Sequence, residues 1–232
     1  MRNPSGIKVN AFIMKLRHLF AFFVSALALL LSFSAPAQNW DFKKEKDGIK
    51  VYTRVSEDSP VKELRMVLEL ETNLSTIVAV FNDIPSYPKW VYKTSEARLL
   101  EKLSSQEVYY YSKSDLPWPI EDRDVVLYSS IQQNPHTRVV TSTSLATEGV
   151  LDEVSGITRI KLMESQWTFT PIAPGKVRME YHLKSDPGGY VPAWLVNMAL
   201  DQGPIETINR FRTRLQLDKY KNRQIAGIVE KH

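Results

Sequence analysis

The chain has 232 residues and no cysteine, which excludes disulfide stabilisation, thiol catalysis and most structural zinc patterns. Its formal charge of +4 overstates how basic its body is. Four of the 30 basic residues and none of the 26 acidic ones fall within residues 1–37, so the rest of the chain carries 26 of each and has no electrostatic footprint for nucleic acid or a strongly anionic membrane.

Residues 1–37 read as a secretory signal peptide. Lys15, Arg17 and His18 precede an apolar run from Leu19 to Leu31, and Ala35-Pro36-Ala37 offers small residues for cleavage before Gln38. The run is 13 residues long, short of the ~20 a membrane-spanning helix needs. Met14 gives a leader of more ordinary length than Met1. An uncleaved anchor is the alternative; cleavage near Ala37 predicts an exported protein, periplasmic or extracellular. Residues 38–222 are then enough for one domain with a sizeable core, followed by a polar C-terminal tail, 223–232.

Two short strands, Trp40 to Lys46 and Ile49 to Val55, are joined through Asp47-Gly48, a hairpin turn pair. In a third, Lys62 to Leu70, Leu64, Met66, Leu68 and Leu70 alternate with Glu63, Arg65, Val67 and Glu69, which sets one face toward a core. Asn73 caps a helix predicted over Leu74 to Asn82, which Pro85 and Pro88 interrupt. Ser86 to Trp90 adds a helical turn.

Six strands follow: Ala97 to Leu103, Glu107 to Lys113, Arg123 to Gln132, Thr137 to Leu145, Arg159 to Thr170 with a possible break, and Lys176 to Lys184. Leu116-Pro117-Trp118-Pro119 is a stiff link that no central strand could contain. In the last strand Val177, Met179, Tyr181 and Leu183 share one face. Short turns between neighbouring strands imply an antiparallel sheet. Asp186-Pro187-Gly188-Gly189 is a turn that hands the chain to a long helix with Pro192 in its first turn. Along that helix Trp194, Leu195, Met198, Ile205, Ile208 and Leu215 recur at helical spacing as one apolar stripe. Residues 216–232 read as a helix extension fraying into a tail. The order of elements is α+β.

No catalytic centre is predicted. His136, His182 and His232 lack a ligand partner at metal spacing, no nucleophile elbow or phosphate loop appears, and the carboxylates are scattered; no metal and no cofactor are expected. Tyr109, Tyr110 and Tyr111 are consecutive on one strand, so Tyr109 and Tyr111 share a face. They are taken as candidates to line a cavity, against ordinary sheet packing with the hydroxyls in water. Arg123-Asp124 could bind an anionic head group; the flanking Asp122 and Asp124 instead predict a local ion pair that fixes the link. Asp201 and Gln202 interrupt the helical stripe just before Pro204, which kinks a helix. The kink reads equally as a gate or as a static bend.

Four stretches in order, DGIKVYTR, YPKWV, LPWPIEDRDVV and DPGGYVPAWLVN, resemble the START (steroidogenic acute regulatory protein-related lipid transfer) family over roughly Trp40 to Tyr220. The resemblance implies a helix-grip fold, in which a curved antiparallel sheet of about nine strands wraps around the C-terminal helix and a tunnel between them takes one lipid or other hydrophobic small molecule. It places the tunnel mouth at the loop Ala146 to Gly156 and the terminal helix. Ser129 stands where sterol-binding relatives place an arginine, which speaks against a sterol. The lining expected on this basis is Met66, Leu68, Tyr109, Tyr111, Trp167, Met179 and Tyr181 from the sheet, and Trp194, Met198, Asp201, Ile205 and Ile208 from the helix, with Arg123, Asp124 and Pro204 structural. The function implied is that of a monomeric, non-catalytic lipid carrier with transient membrane contact and no nucleic-acid partner. A cyclase- or dehydratase-like enzyme using the same cavity and a sensory or adaptor module are the alternatives.

Overall fold

The computed structural model describes residues 40–56, 61–189, 191–221 and 223–231, with the side chains of residues 193, 194 and 197–201 outside that description. The predicted leader lies outside the described residues. Asp47 and Gly48 both have positive φ, 54° and 72°, the backbone of a two-residue type I′ turn. It joins β1 (Asp41–Lys46) to β2 (Ile49–Arg54), and β3 (Glu63–Glu71) follows. The Asn73 side chain accepts the Thr76 N–H at 2.8 Å and so starts α1 (Leu74–Asn82) as predicted. Pro85 and Pro88 then tighten the chain into a 3-10 helix, Ile84–Lys89.

Seven strands complete the sheet: β4 (Thr94–Lys102), β5 (Glu107–Ser114), β6 (Asp122–Gln133), β7 (Val140–Ala146), β8 (Ile157–Arg159), β9 (Leu162–Ala173) and β10 (Lys176–Asp186). Their order is β1-β2-β3-β10-β9-β7-β6-β5-β4. All neighbours along it are antiparallel, and β10 pairs with β3 from Lys176↔Glu71 to Leu183↔Leu64. That pairing brings the two ends of the domain together.

The count is ten rather than about nine because the predicted strand Arg159 to Thr170 breaks after Arg159. The Ile160 N–H donates to the Asp124 carbonyl at 2.8 Å, which holds the three-residue β8 parallel to β6. Sequence alternation then does what it promises. Leu64, Met66, Leu68 and Leu70 are buried, as are Trp167, Phe169, Val177 and Met179, and they pack with Ile205, Ile208 and Phe211 of the terminal helix α2 (Ala193–Leu215) in the main core.

The approach to α2 is a tight turn with Gly188 and Gly189 at φ 68° and 62°, conformations that favour glycine. Pro192 stands just before the helix as its N-cap, φ −61° and ψ 146°, rather than within the first turn. The helix ends at Leu215 and is not extended. Residues 216–221 and 223–231 instead fold back in turns: Tyr220 is buried, and Leu217, Ile225 and Ile228 pack on the core. Four apolar residues spaced through a polar segment had no helical period to betray them, yet they dock on the core.

Candidate ligand cavity

Between α2 and the sheet, side-chain volume is unevenly spent. Toward one end Phe81, Trp90, Trp167, Phe169 and Phe211 interlock, with ring centroids 5.1–6.5 Å apart. Elsewhere the inward positions are small. Ser112 and Ser114 on β5, Ser142 and Ser144 on β7, Ser165 on β9 and Ser185 on β10 face Gly203 and Pro204 of α2. Small residues opposite small residues leave space, here a cavity of about 340 Å³. Its apolar wall includes Leu64, Met66, Val125, Leu127, Met163 and Leu183.

The polar chemistry of the lining is almost entirely uncharged. Among the described lining residues Lys93 alone is charged; it is exposed, has φ 59° and marks where the cavity meets solvent. The Tyr110 phenol is pushed up to about 12 by burial, offset in part by a hydrogen bond with Ser144. Burial, with Tyr110 nearby, raises Tyr181 and Tyr87 as well, and Asp83 adds to the rise at Tyr87. All three phenols are therefore neutral donors near physiological pH. Ser144 donates to Ser129 at 3.0 Å, and Tyr87 donates to the Phe81 carbonyl at 2.8 Å.

Of the predicted lining residues, Met66, Trp167 and Tyr181 border the cavity. Leu68, Met179, Ile205 and Ile208 are buried in the packed core instead. Trp194, Met198 and Asp201 carry side chains outside the described residues. Pro204 borders the cavity, and the helical backbone runs through it.

The tyrosine prediction is corrected by parity. Tyr110 pairs with Leu127 and points inward with it, which sends its neighbours to the opposite face. There Tyr109 packs on Tyr128 at 5.7 Å, and the Arg98 guanidinium lies 4.8 Å over the Tyr111 ring. The same alternation could have found Ser112 and Ser114, which share Tyr110's parity, and Ser185, which shares that of Tyr181 and Leu183. What hid them is that serine carries no hydrophobic signal. Lys93, in a connecting segment, had no pattern at all.

Arg123 and Asp124 do not form the expected local ion pair, because adjacent strand residues face opposite ways. Arg123, buried on one face, donates to the carbonyls of Pro187 (3.3 Å), Gly188 (3.1 Å) and Glu121. Asp124, on the other, accepts two hydrogen bonds from Arg159, at 2.7 and 3.0 Å. Arg159 also donates to the carbonyls of Leu151 and Asp152, at 3.0 and 3.1 Å. Asp122 pairs with Lys113 at 2.9 Å. One dipeptide thus holds both the turn that leads into α2 and the loop 147–156 between β7 and β8.

The chain matches known proteins over nearly all of this domain. The family model of the START domain matches residues 25–221. An uncharacterized protein of Pseudomonas aeruginosa is 29% identical over 180 residues, which are 78% of this chain and 88% of that protein. The phosphatidylcholine transfer protein of Bos taurus is 26% identical over 171 residues, 71% of this chain and 78% of the relative. Among solved structures, a STAR-related lipid transfer protein fragment from Xanthomonas axonopodis superposes with a TM-score of 0.70 at 30% identity, covering 77% of this chain and 99% of that one.

Proposed function

The chain belongs to the START domain family and adopts its helix-grip α+β fold, and on that premise we propose that it is a monomeric carrier that takes a single uncharged lipid or similar amphiphile into the cavity beneath α2. The observation that carries this reading is the cavity itself: about 340 Å³, walled by apolar side chains and hydroxyls that remain neutral. Ligand pockets of this size and character bury most of a small ligand's surface. Shielding several hundred Å² of apolar surface from water is worth on the order of 10 kcal/mol at ~25 cal/mol per Å². A bilayer shelters the same surface equally well, so uptake and release exchange near-equivalents, and the cavity lowers the cost of crossing water.

The hydroxyls of Tyr110, Tyr181, Ser144 and Ser165 suit a buried neutral oxygen, such as an alcohol, ester or ketone, since apart from exposed Lys93 no charged side chain among the described lining residues stands with them to pair a buried charge. Lys93 at the rim meets whatever part of the cargo stays in water. The same chemistry argues for carriage over catalysis. Tyr87, Tyr110 and Tyr181 have phenols held protonated by burial, so none of them is poised for proton transfer at neutral pH.

Exchange with a membrane is read from Trp118, 91% exposed between Pro117 and Pro119 and two residues from Leu116, which lines the cavity. Tryptophan held outward suits the interface between water and acyl chains. Val150 and Val154 of the loop 147–156 are exposed too. A body with balanced charge would make this contact without needing anionic lipid. With cleavage near Ala37, the protein works in the periplasm or outside the cell.

The test is native mass spectrometry of the protein purified from its own envelope, then extraction and identification of what it carries. One uncharged lipid per chain is the expected result. A protein that is empty across several growth conditions would sink the carrier reading.

A further inference from the structure

Beyond the aromatic side of the cavity lies a second space of about 270 Å³. It sits between the segment Phe81–Pro85 and strands β4 to β6, with apolar walls from Ile84, Pro85, Leu99, Val108 and Ile131. Its lining includes the exposed Lys102, Ser105 and Gln106, beside Leu99, which is 47% exposed. Only one layer of side chains separates the two spaces. Phe81, Tyr87 and Tyr110 border both, and the Ser129–Ser144 hydrogen bond of 3.0 Å joins a residue of the second space to one of the first.

That partition is also a seam in the packing. Phe81 belongs to the main core, Tyr110 to a smaller cluster with Ile84, Ala97, Val125 and Leu127, and Tyr87 touches both. Tyr87 and Tyr110 meet edge to face, 5.7 Å between centroids. Tyr87 stands at the boundary, so turning it disturbs each cluster less than turning a ring wholly inside one. Tyr110, a member of the smaller cluster, gives up contacts there and its hydrogen bond with Ser144, losses that burial of the entering alkyl chain offsets.

Length supplies the reason for it to move. At ~30 Å³ for each water-sized group, the first cavity holds on the order of a dozen. A hydrocarbon core ~30 Å thick sets the tail of a membrane lipid at about 15 Å, and such a tail with its polar end exceeds that room.

We infer that the second space is a chain-extension site of the same cavity, which receives the far end of a single long alkyl chain once the wall of Tyr87 and Tyr110 turns aside. The inference rests on the carrier reading and adds to it a binding site, a cargo shape and a second opening at the β4–β5 end of the sheet.

The test is a ladder of unbranched alkanols from octanol to octadecanol, delivered from cyclodextrin and measured by displacement of an environment-sensitive dye. They are bound to the unmodified protein and to two variants that fill the second space, Leu99→Trp and Val108→Phe, each checked for its fold by circular dichroism. In the unmodified protein affinity should rise about four-fold per added methylene and keep rising beyond dodecanol. In the filled variants the short alkanols should bind as before, with the rise stopping near dodecanol. Leu99 is half in solvent, so at least that variant should fold. Identical length profiles in all three proteins, or a plateau near dodecanol in the unmodified one, would overturn the extension site and leave the carrier reading standing. No binding at any length would overturn both.

Discussion

Arg123 and Asp124 show how much one residue of parity decides. Because the two point to opposite faces of β6, Arg123 satisfies the carbonyls of the turn before α2, while Asp124 and Arg159 form a buried bidentate pair, 0% and 4% exposed, that ties down the loop 147–156. Removing one member of such a pair strands the other charge in the interior. Asp124→Asn should therefore lower stability by about 3 kcal/mol in urea titrations, with faster amide exchange confined to residues 147–156. The double change Asp124→Leu with Arg159→Met should recover most of the stability without restoring the protection of the loop: Asp124→Asn leaves Arg159 without the carboxylate that positions it, and the double change removes the donor to the Leu151 and Asp152 carbonyls altogether. A double variant as unstable as the single one would show that the pair is not what fails.

Among the elements, the segment after α2 departs most from its reading as a fraying tail. Glu230 accepts the N–H groups of Leu74 and Ser75, at 2.9 and 2.8 Å, and so meets two of the unpaired donors at the start of α1. Gln133 and Val229 exchange a pair of hydrogen bonds, 2.8 and 2.7 Å. Tyr220 donates to Asp83 at 2.6 Å, at the other end of α1. The segment straps the first helix to the sheet from both ends. Glu230→Ala should cost about 1 kcal/mol, the usual worth of a helix cap, measured by thermal or urea unfolding. A stability equal to that of the unmodified protein would mean that Asn73 caps the helix alone. The elements themselves were largely legible in the sequence, because hairpin turns, the Asn73 cap and alternating strands are local signals. β8 and the strap were not, because each is held by a partner far along the chain.

For the molecule as a whole, the arrangement that matters is a cavity whose nearby surface carries Trp118. That side chain is held outward by two prolines and contributes nothing to the core, so Trp118→Ala should leave unfolding unchanged while slowing transfer of a neutral fluorescent lipid between zwitterionic vesicles several-fold. Transfer at the unmodified rate would remove this side chain from the membrane contact. Because residues 38–232 are balanced in charge, the rate should respond little to salt. Here the sequence led partway to the site. Periodicity together with the family resemblance pointed to Met66, Trp167 and Tyr181, which border the cavity, whereas Leu68 and Met179 follow the same strand alternation, and Ile205 and Ile208 the helical stripe, and are simply core. Periodicity tells which face a residue takes and nothing about what lies opposite.

By itself the sequence determined the α+β order, the buried faces of β3 and β10, the first helix with its cap, and, through four short stretches taken together, the family. Those features depend on neighbours a few residues apart, so local spacing records them. Only the tertiary structure decided where the space lies. A cavity forms where small side chains from β5, β7, β9, β10 and α2 converge, and no one of those segments shows that the others are small at the same place. It also decided that Tyr110 rather than Tyr109 or Tyr111 faces inward, since the face a strand turns to the core is set by its register with distant partners.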